Sequence, residues 1–210
     1  MPPIVLHLPP QTPQPGDASN KRAARMYELA DLAVFHITGA DALSFIQGQV
    51  TNDIASATPL QSKLAGYCTA QGRLLATLVL NQLPETATEL PTIQGLIKRD
   101  LCEPVLKRLG MFVLRAKAKL SLTTQRIIGV YVTNEQKNRL EDQLGHTLPI
   151  TPWETIHYAS GSWICAPVRQ GHRWWWIATE EQLNTQQTLF NACLIQDREE
   201  WQALDIDAGI

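Results

Sequence analysis

Asp41-Ala42-Leu43-Ser44-Phe45-Ile46-Gln47-Gly48-Gln49-Val50-Thr51-Asn52-Asp53, followed by Gln71-Gly72-Arg73, is the stretch of the 210-residue chain from which the rest is read. Asp41 stands where a helix begins, favoured by the positive end of the helix dipole, and Leu43, Ile46 and Val50 recur on one face. Gln47 points away from that stripe. Thr51-Asn52-Asp53 closes the helix with residues that tolerate left-handed geometry and bond to nearby backbone. The pattern then changes to a hairpin, with strands over 64–69 and 74–80 around Ala70-Gln71-Gly72. Gly72 supplies the positive backbone dihedral of such a turn, which holds Arg73 at the hairpin mouth.

Upstream, residues 1–20 carry six prolines and one charged side chain. A segment of that composition cannot bury enough surface to offset its ordering entropy, so a disordered tail is expected. Ala23, Met26, Tyr27 and Ala30 then sit at helical spacing, and the run over 32–37, ended by Thr38-Gly39, predicts a strand. Downstream, Asp100-Leu101-Cys102-Glu103 reads as a capping box with Pro104 in the first turn, opening a helix that stops at Gly110. Residues 112–122 alternate as a strand whose wet face carries Arg115, Lys117 and Lys119. A strand over 126–133, a helix over 134–144, strands over 162–169 and 173–179 and a helix to Leu194 give the order of a split βαβ unit, and ferredoxin-like packing is the simplest way to bury their faces. Thr179-Glu180-Glu181-Gln182 is a second capping box. The expected fold is α+β, with antiparallel sheets and packed helices, a first subdomain over 21–125 and a ferredoxin-like subdomain over 126–210.

With 44% hydrophobic residues, the chain can bury a substantial core. A net charge of −2 argues against a surface built throughout to hold nucleic acid. Cys68, Cys102, Cys165 and Cys193 form no Cys-x-x-Cys pair, and the five histidines show no metal-ligand spacing, so neither a zinc nor a redox site is expected. With no leader-like amino terminus and no apolar run of membrane length, the cytoplasm is the expected location. Trp174-Trp175-Trp176 cannot form one stacking platform in a strand, because successive side chains alternate faces; at least one belongs to the core.

From the residues alone, the polar groups of Thr51-Asn52-Asp53 read as a chain-turning helix terminus. Arg73 is either a solvated arginine or a fork for a carboxylate. Arg115, Lys117 and Lys119 are either the wet side of a sheet or a local attraction for a polyanion such as an RNA backbone.

The stretches 45–53, 71–73, 106–119 and 201–210 resemble the YgfZ-type folate-binding proteins, relatives of the glycine cleavage aminomethyltransferase (T-protein), and the likeness extends over most of residues 28–210. It implies an aminomethyltransferase-like fold and tetrahydrofolate or a derivative as ligand, with the polar groups of Thr51-Asn52-Asp53 as donors and acceptors at the rim of a central cavity and Arg115, Lys117 and Lys119 as a local attraction for a polyglutamylated form. The binding residues it suggests are Gln49, Thr51, Asn52, Asp53, Gly72, Arg73, Arg115 and Asp207, with no catalytic residue. It further implies an accessory role in iron–sulfur cluster assembly or repair, indirectly supporting tRNA modification, with iron–sulfur proteins as partners and no membrane.

Two departures temper the likeness. The family continues past the equivalent of Ile210 into a Lys-Gly-Cys-Tyr-x-Gly-Gln-Glu motif and a small β-barrel, so the expectation is a shortened relative or a piece of a longer protein, lacking the barrel. In the aminomethyltransferases the hairpin glycine is followed by acidic residues, one of which works on the folate amine; here Arg73 is followed by Leu74, Leu75, Ala76 and Thr77. Without that carboxylate, general acid–base help is missing, and a non-enzyme is expected. The alternatives are an aminomethyl or one-carbon transferase that recruits Asp53 or Asp207, and a ligand-free protein-interaction module.

Overall fold

The computed structural model of the chain describes residues 24–85 and 89–210, so the tail expected over 1–20 lies outside the described residues. In chain order the elements are β1 (Arg25–Glu28), β2 (Leu32–Thr38), α1 (Ala42–Gln47), β3 (Lys63–Cys68), β4 (Leu74–Gln82), β5 (Thr92–Lys98) and α2 (Arg99–Val113). They continue as β6 (Lys119–Leu122), β7 (Arg126–Val132), α3 (Asn134–Leu144), β8 (Thr155–Tyr158), β9 (Gly161–Ala166) and β10 (His172–Ala178), and finish as α4 (Glu180–Thr185), α5 (Gln187–Ala192), β11 (Leu194–Gln196) and α6 (Arg198–Ala208).

Two sheets result, one ordered β3-β4-β5-β2-β6 and the other β11-β1-β7-β10-β9-β8. All pairings are antiparallel except β1 with β11, which run parallel. Strand periodicity divides the apolar side chains into three cores. Ala33, Phe35 and Ile37 of β2 and Ala76, Leu78 and Leu80 of β4 face α1 and α2, which contribute Phe45, Ile46, Val105 and Leu109. Val34, Val79 and Leu96 point the other way and meet Tyr27, Ile127, Ile164, Trp175 and Ile177 of the second sheet. The far face of that sheet, with Val130, Trp163, Trp174 and Trp176, is covered by Leu140, Leu183 and Leu189 of α3, α4 and α5. The layers are therefore helix, sheet, sheet, helix, the α+β architecture expected, and the described residues form no barrel. Trp174, Trp175 and Trp176 alternate faces as the strand period demands, and because both faces of β10 are covered, all three are core.

The split βαβ order appears as β7-α3-β9-β10-α4-α5-β11, with β10 between β7 and β9. β1 is inserted between β7 and β11. Residues 25–28 were expected to be helical; they form a strand because β7 and β11 satisfy their backbone on both sides, while Met26 and Tyr27 bury on opposite faces. Four further expectations are corrected. α2 starts at Arg99, so Asp100-Leu101-Cys102-Glu103 lies inside it rather than capping it, and Pro104 lies beyond its first turn. It also runs through Gly110 to Val113 and ends at Leu114 with φ 42°. Arg115 and Lys117 therefore occupy the turn before β6, and only Lys119 lies on a strand; the alternation persists because Ala116, Ala118 and Leu120 pack on the core beneath α2. The helix expected to reach Leu194 breaks at Gln186, which lets Leu183 and Leu189 both reach the sheet and frees Leu194 to begin β11. The Thr179 capping box is present as expected.

α6 packs beside β1 at the rim of the inter-sheet layer. Its Trp201 lies where a Cβ on Gly129 would approach the indole to 2.5 Å, so glycine at that position makes room for the ring. Arg173, fully buried, pairs with Asp205 at 2.8 Å and places its guanidinium 4.8 Å from the Trp201 ring centre. Arg25 pairs with Glu200.

Candidate functional site

Gln47 organises the loop that follows α1. Its Oε1 accepts from the backbone N–H of Ile54 at 2.7 Å and of Ala55 at 2.8 Å. The loop is then tied to β3: the Thr51 N–H donates to the Gly66 carbonyl at 2.9 Å, and the Gly66 N–H donates to Thr51 Oγ1 at 2.9 Å. Asn52 Nδ2 donates to the Leu64 carbonyl at 2.8 Å, Asn52 Oδ1 accepts from the Asp53 N–H, and Asp53 Oδ1 accepts from the Ser56 N–H at 3.3 Å. The turn-building reading of Thr51-Asn52-Asp53 thus describes most of their bonds. All three remain exposed, and the Asp53 carboxylate uses a single oxygen among the described residues. Gln49 is half-buried beside the Val50 to Tyr67 bridge.

The β3–β4 turn is equally constrained. The Gly72 N–H donates to the Thr69 carbonyl, the Thr69 N–H to the Arg73 carbonyl at 2.8 Å, and the Arg73 N–H to Thr69 Oγ1 at 3.2 Å. Gly72 adopts φ 82°, the left-handed conformation expected of it. Arg73 is therefore fixed at its backbone, while its exposed guanidinium has no partner among the described residues. A Cβ on Gly66 would meet both the Leu74 side chain and Thr51 Oγ1, at 3.0 and 3.1 Å, so the hairpin and the 48–53 loop converge over Gly66. Leu74, 57% exposed, supplies an apolar surface there that sequence reading did not single out; its place next to Arg73 at a strand end was the available signal.

The structure thus gathers Gln49, Thr51, Asn52, Asp53, Gly72 and Arg73 on neighbouring segments. Arg115 lies apart from them. Its turn is pinned to the start of α1, where Asp41 Oδ2 accepts from the Lys117 N–H at 2.7 Å, whereas the 48–53 loop leaves the end of that helix, ~9 Å away along its axis. Asp207 belongs to α6, beside the other sheet, and its carboxylate is 3.4 Å from Arg169 Nε, which also donates to its carbonyl.

The four cysteines are unpaired. Burial pushes the Cys165 and Cys193 thiols up to about 12, so both are protonated at neutral pH. Among the described residues no group of three or more His, Cys, Asp and Glu side chains is placed to hold a metal, and no helix is long and apolar enough to cross a membrane.

Solved structures supply the comparison that this geometry invites. Over 85% of its length the chain superposes on the glycine cleavage system aminomethyltransferase T from Bartonella henselae, with a TM-score of 0.65 at 11% identity. The fold is that of an aminomethyltransferase. The chain spans about half of that protein, 48% of its length. The heterotetrameric sarcosine oxidase from Corynebacterium sp. U-96 is matched over 82% of this chain and 84% of its own, at 10% identity and a TM-score of 0.46. The regulatory subunit of aspartate kinase from Thermus thermophilus is matched over 80% and 96%, at 8% identity and a TM-score of 0.38. These two superpositions are too loose to define an architecture, and the fold assignment rests on the aminomethyltransferase. No protein-family profile matches the sequence.

Proposed function

We propose that the chain is a tetrahydrofolate-binding accessory protein of iron–sulfur cluster assembly or repair, with an indirect effect on tRNA modification through iron–sulfur enzymes. The observation that carries the folate part is the superposition on an aminomethyltransferase over 85% of the chain. The iron–sulfur role rests on the YgfZ-type resemblance of the sequence alone.

In this reading the chain's own residues bind and orient the ligand. Arg73 offers its planar fork to a folate carboxylate, and the anchored turn fixes the backbone from which the side chain reaches. Leu74 packs beside it against an apolar ring, and Asp53 contributes its unused carboxylate oxygen as an acceptor. Arg115 acts on a separate, more distant part of an extended anion. With Leu74 and Leu75 where the transferases carry acidic residues, the chain binds without turning over. An aminomethyl donor supplied with tetrahydrofolate should release no formaldehyde; turnover abolished by Asp53→Asn would establish a transferase instead.

The binding itself is tested by titrating the chain with tetrahydrofolate and 5-formyltetrahydrofolate under intrinsic tryptophan fluorescence. Saturable quenching that weakens in Arg73→Ala supports the reading, and a well-folded chain that does not respond overturns it.

A further inference from the structure

We propose that the end of α2 and the turn after it form a peripheral membrane-binding surface, on which Met111, Phe112 and Leu114 enter the headgroup layer of an anionic bilayer and Lys107 and Arg108 hold its negative groups. Charge is distributed unevenly along the chain. From Pro104 to Asn134 there are six lysines and arginines and no aspartate or glutamate, although the net charge of the whole is −2. Lys107, Arg108, Arg115, Lys117 and Lys119 are exposed, and none of them pairs with a carboxylate among the described residues. The acids nearest in the chain are placed apart: Asp100 and Glu103 occupy the N-terminal half of α2, and the Asp41 carboxylate accepts from the Lys117 N–H.

The last turns of α2 are apolar on the dry side and partly apolar on the wet side as well. At about 100° per residue, Cys102, Val105 and Leu109 form the stripe that faces the core, and Met111 stands opposite it. Lys107 and Arg108 lie one turn before Met111 on either flank, and Phe112 follows Arg108 by four residues on the same side. Met111 is 61% exposed and Phe112 47%. Leu114, which ends the helix, is 87% exposed and holds φ 42° and ψ −100°, a conformation in which an L-residue is strained. Glycine would relieve the backbone there and a polar side chain the exposure, so leucine is unfavourable to the isolated chain on both counts. A single exposed leucine is ordinary. Three large apolar side chains side by side, one on a strained backbone and all next to unpaired cations, mark a contact surface.

The same features choose the occupant. A docked protein needs complementary shape, and a side chain as exposed as Leu114 stands in no groove. A single-stranded nucleic acid calls for stacking faces, and of the three apolar side chains only Phe112 has one. A bilayer interface deforms around protruding apolar chains, and its anionic lipids attract lysine and arginine close to the surface. Lys107 and Arg108 can lay their stems along the interface with their charges at the headgroups, while Met111 and Leu114 go deeper. Contact of this kind needs no spanning helix, and none is present among the described residues. It departs from the YgfZ-type resemblance, which implied no membrane partner. The five residues are separate from the folate site proposed above, and the surface does not depend on that site.

The test is flotation of the whole chain, at low ionic strength, with mixed phosphatidylcholine–phosphatidylserine vesicles and with vesicles of phosphatidylcholine alone. The expected result is saturable binding to the mixed vesicles, about tenfold or more weaker to phosphatidylcholine alone and weakened as much by Lys107→Glu combined with Arg108→Glu. Leu114→Asn should weaken it by about threefold or more, because it removes inserted apolar surface. All three positions are exposed and asparagine tolerates a positive φ, so both variants should fold. Absence of binding to the mixed vesicles, or binding that both variants retain in full, would overturn the proposal. So would equal affinity for polyglutamate or single-stranded RNA that Leu114→Asn leaves unchanged, which would make the patch a general attraction for polyanions.

Discussion

Arg73 and Gly72 divide the work of the candidate site, one offering chemistry and the other geometry. Because the Arg73 guanidinium has no partner within the described chain, Arg73→Ala should leave the melting temperature unchanged while weakening tetrahydrofolate binding by tenfold or more, read by fluorescence titration. Gly72→Ala should do the reverse at first: there is open space around the position, but φ 82° strains an L-residue by about 1–2 kcal/mol, so urea unfolding should shift by that amount. Gln47 illustrates what the sequence conceals at this scale. Its exclusion from the apolar stripe was legible from spacing, whereas its use as a double acceptor for Ile54 and Ala55 depends on where the loop returns, which spacing does not encode. The same holds for Thr51 and Asn52, whose partners on β3 lie a dozen or more residues away.

At the scale of elements, the clearest dependence is that of α6 on its seat. Burial lowers the Arg173 pKa, opposed by Asp205, and raises that of Asp205, opposed by Arg173, so each charge is tolerated because of the other. Asp205→Ala leaves a fully buried guanidinium unpaired and should cost about 3 kcal/mol in denaturant unfolding, while Arg173→Met combined with Asp205→Leu should recover most of the loss. Failure of the double variant to recover would mean the pair specifies the position of α6 rather than merely tolerating burial. Elements with a long internal pattern were legible: α3 has the expected bounds, and β2, β7 and β10 lie within a residue of theirs. Those decided by distant partners were not. The four residues of β1, read as helical from the spacing of Met26 and Tyr27 with Ala23 and Ala30, become a strand because β7 and β11 flank them. Lys117 keeps the look of a strand residue because its neighbours Ala116 and Ala118 are half-buried, although the backbone is a turn held by Asp41.

For the whole molecule, four half-buried histidines set the response to acid. Burial lowers the pKa of His36, His146, His157 and His172 below the ordinary value, so the native state binds fewer protons than the unfolded chain as pH falls through that value. Their contribution is complete above ~6.5 and is lost progressively as pH falls below it. The melting temperature should therefore decline between pH 7 and pH 5, and His157→Gln, which can keep a bond to the Pro59 carbonyl, should flatten that decline. Asp31 and Glu141, with pKa values lowered by lysine partners despite opposing burial, extend the loss below the usual carboxylate range. The layered fold was legible at this scale because the stretches 45–53 and 71–73 pointed to an aminomethyltransferase-like fold, and that fold is what the superposition shows. The grouping of site residues was legible only in part, since Arg115 and Asp207 are close to the others in neither sequence nor space.

Hydrogen–deuterium exchange with and without saturating 5-formyltetrahydrofolate tests the central claim most directly, because it reports where the ligand acts as well as whether it binds. The account predicts slower exchange over residues 48–56 and 66–74, with Arg73→Ala abolishing the effect at both. Unchanged exchange in both segments, or protection confined to α6 and the second sheet, would contradict it.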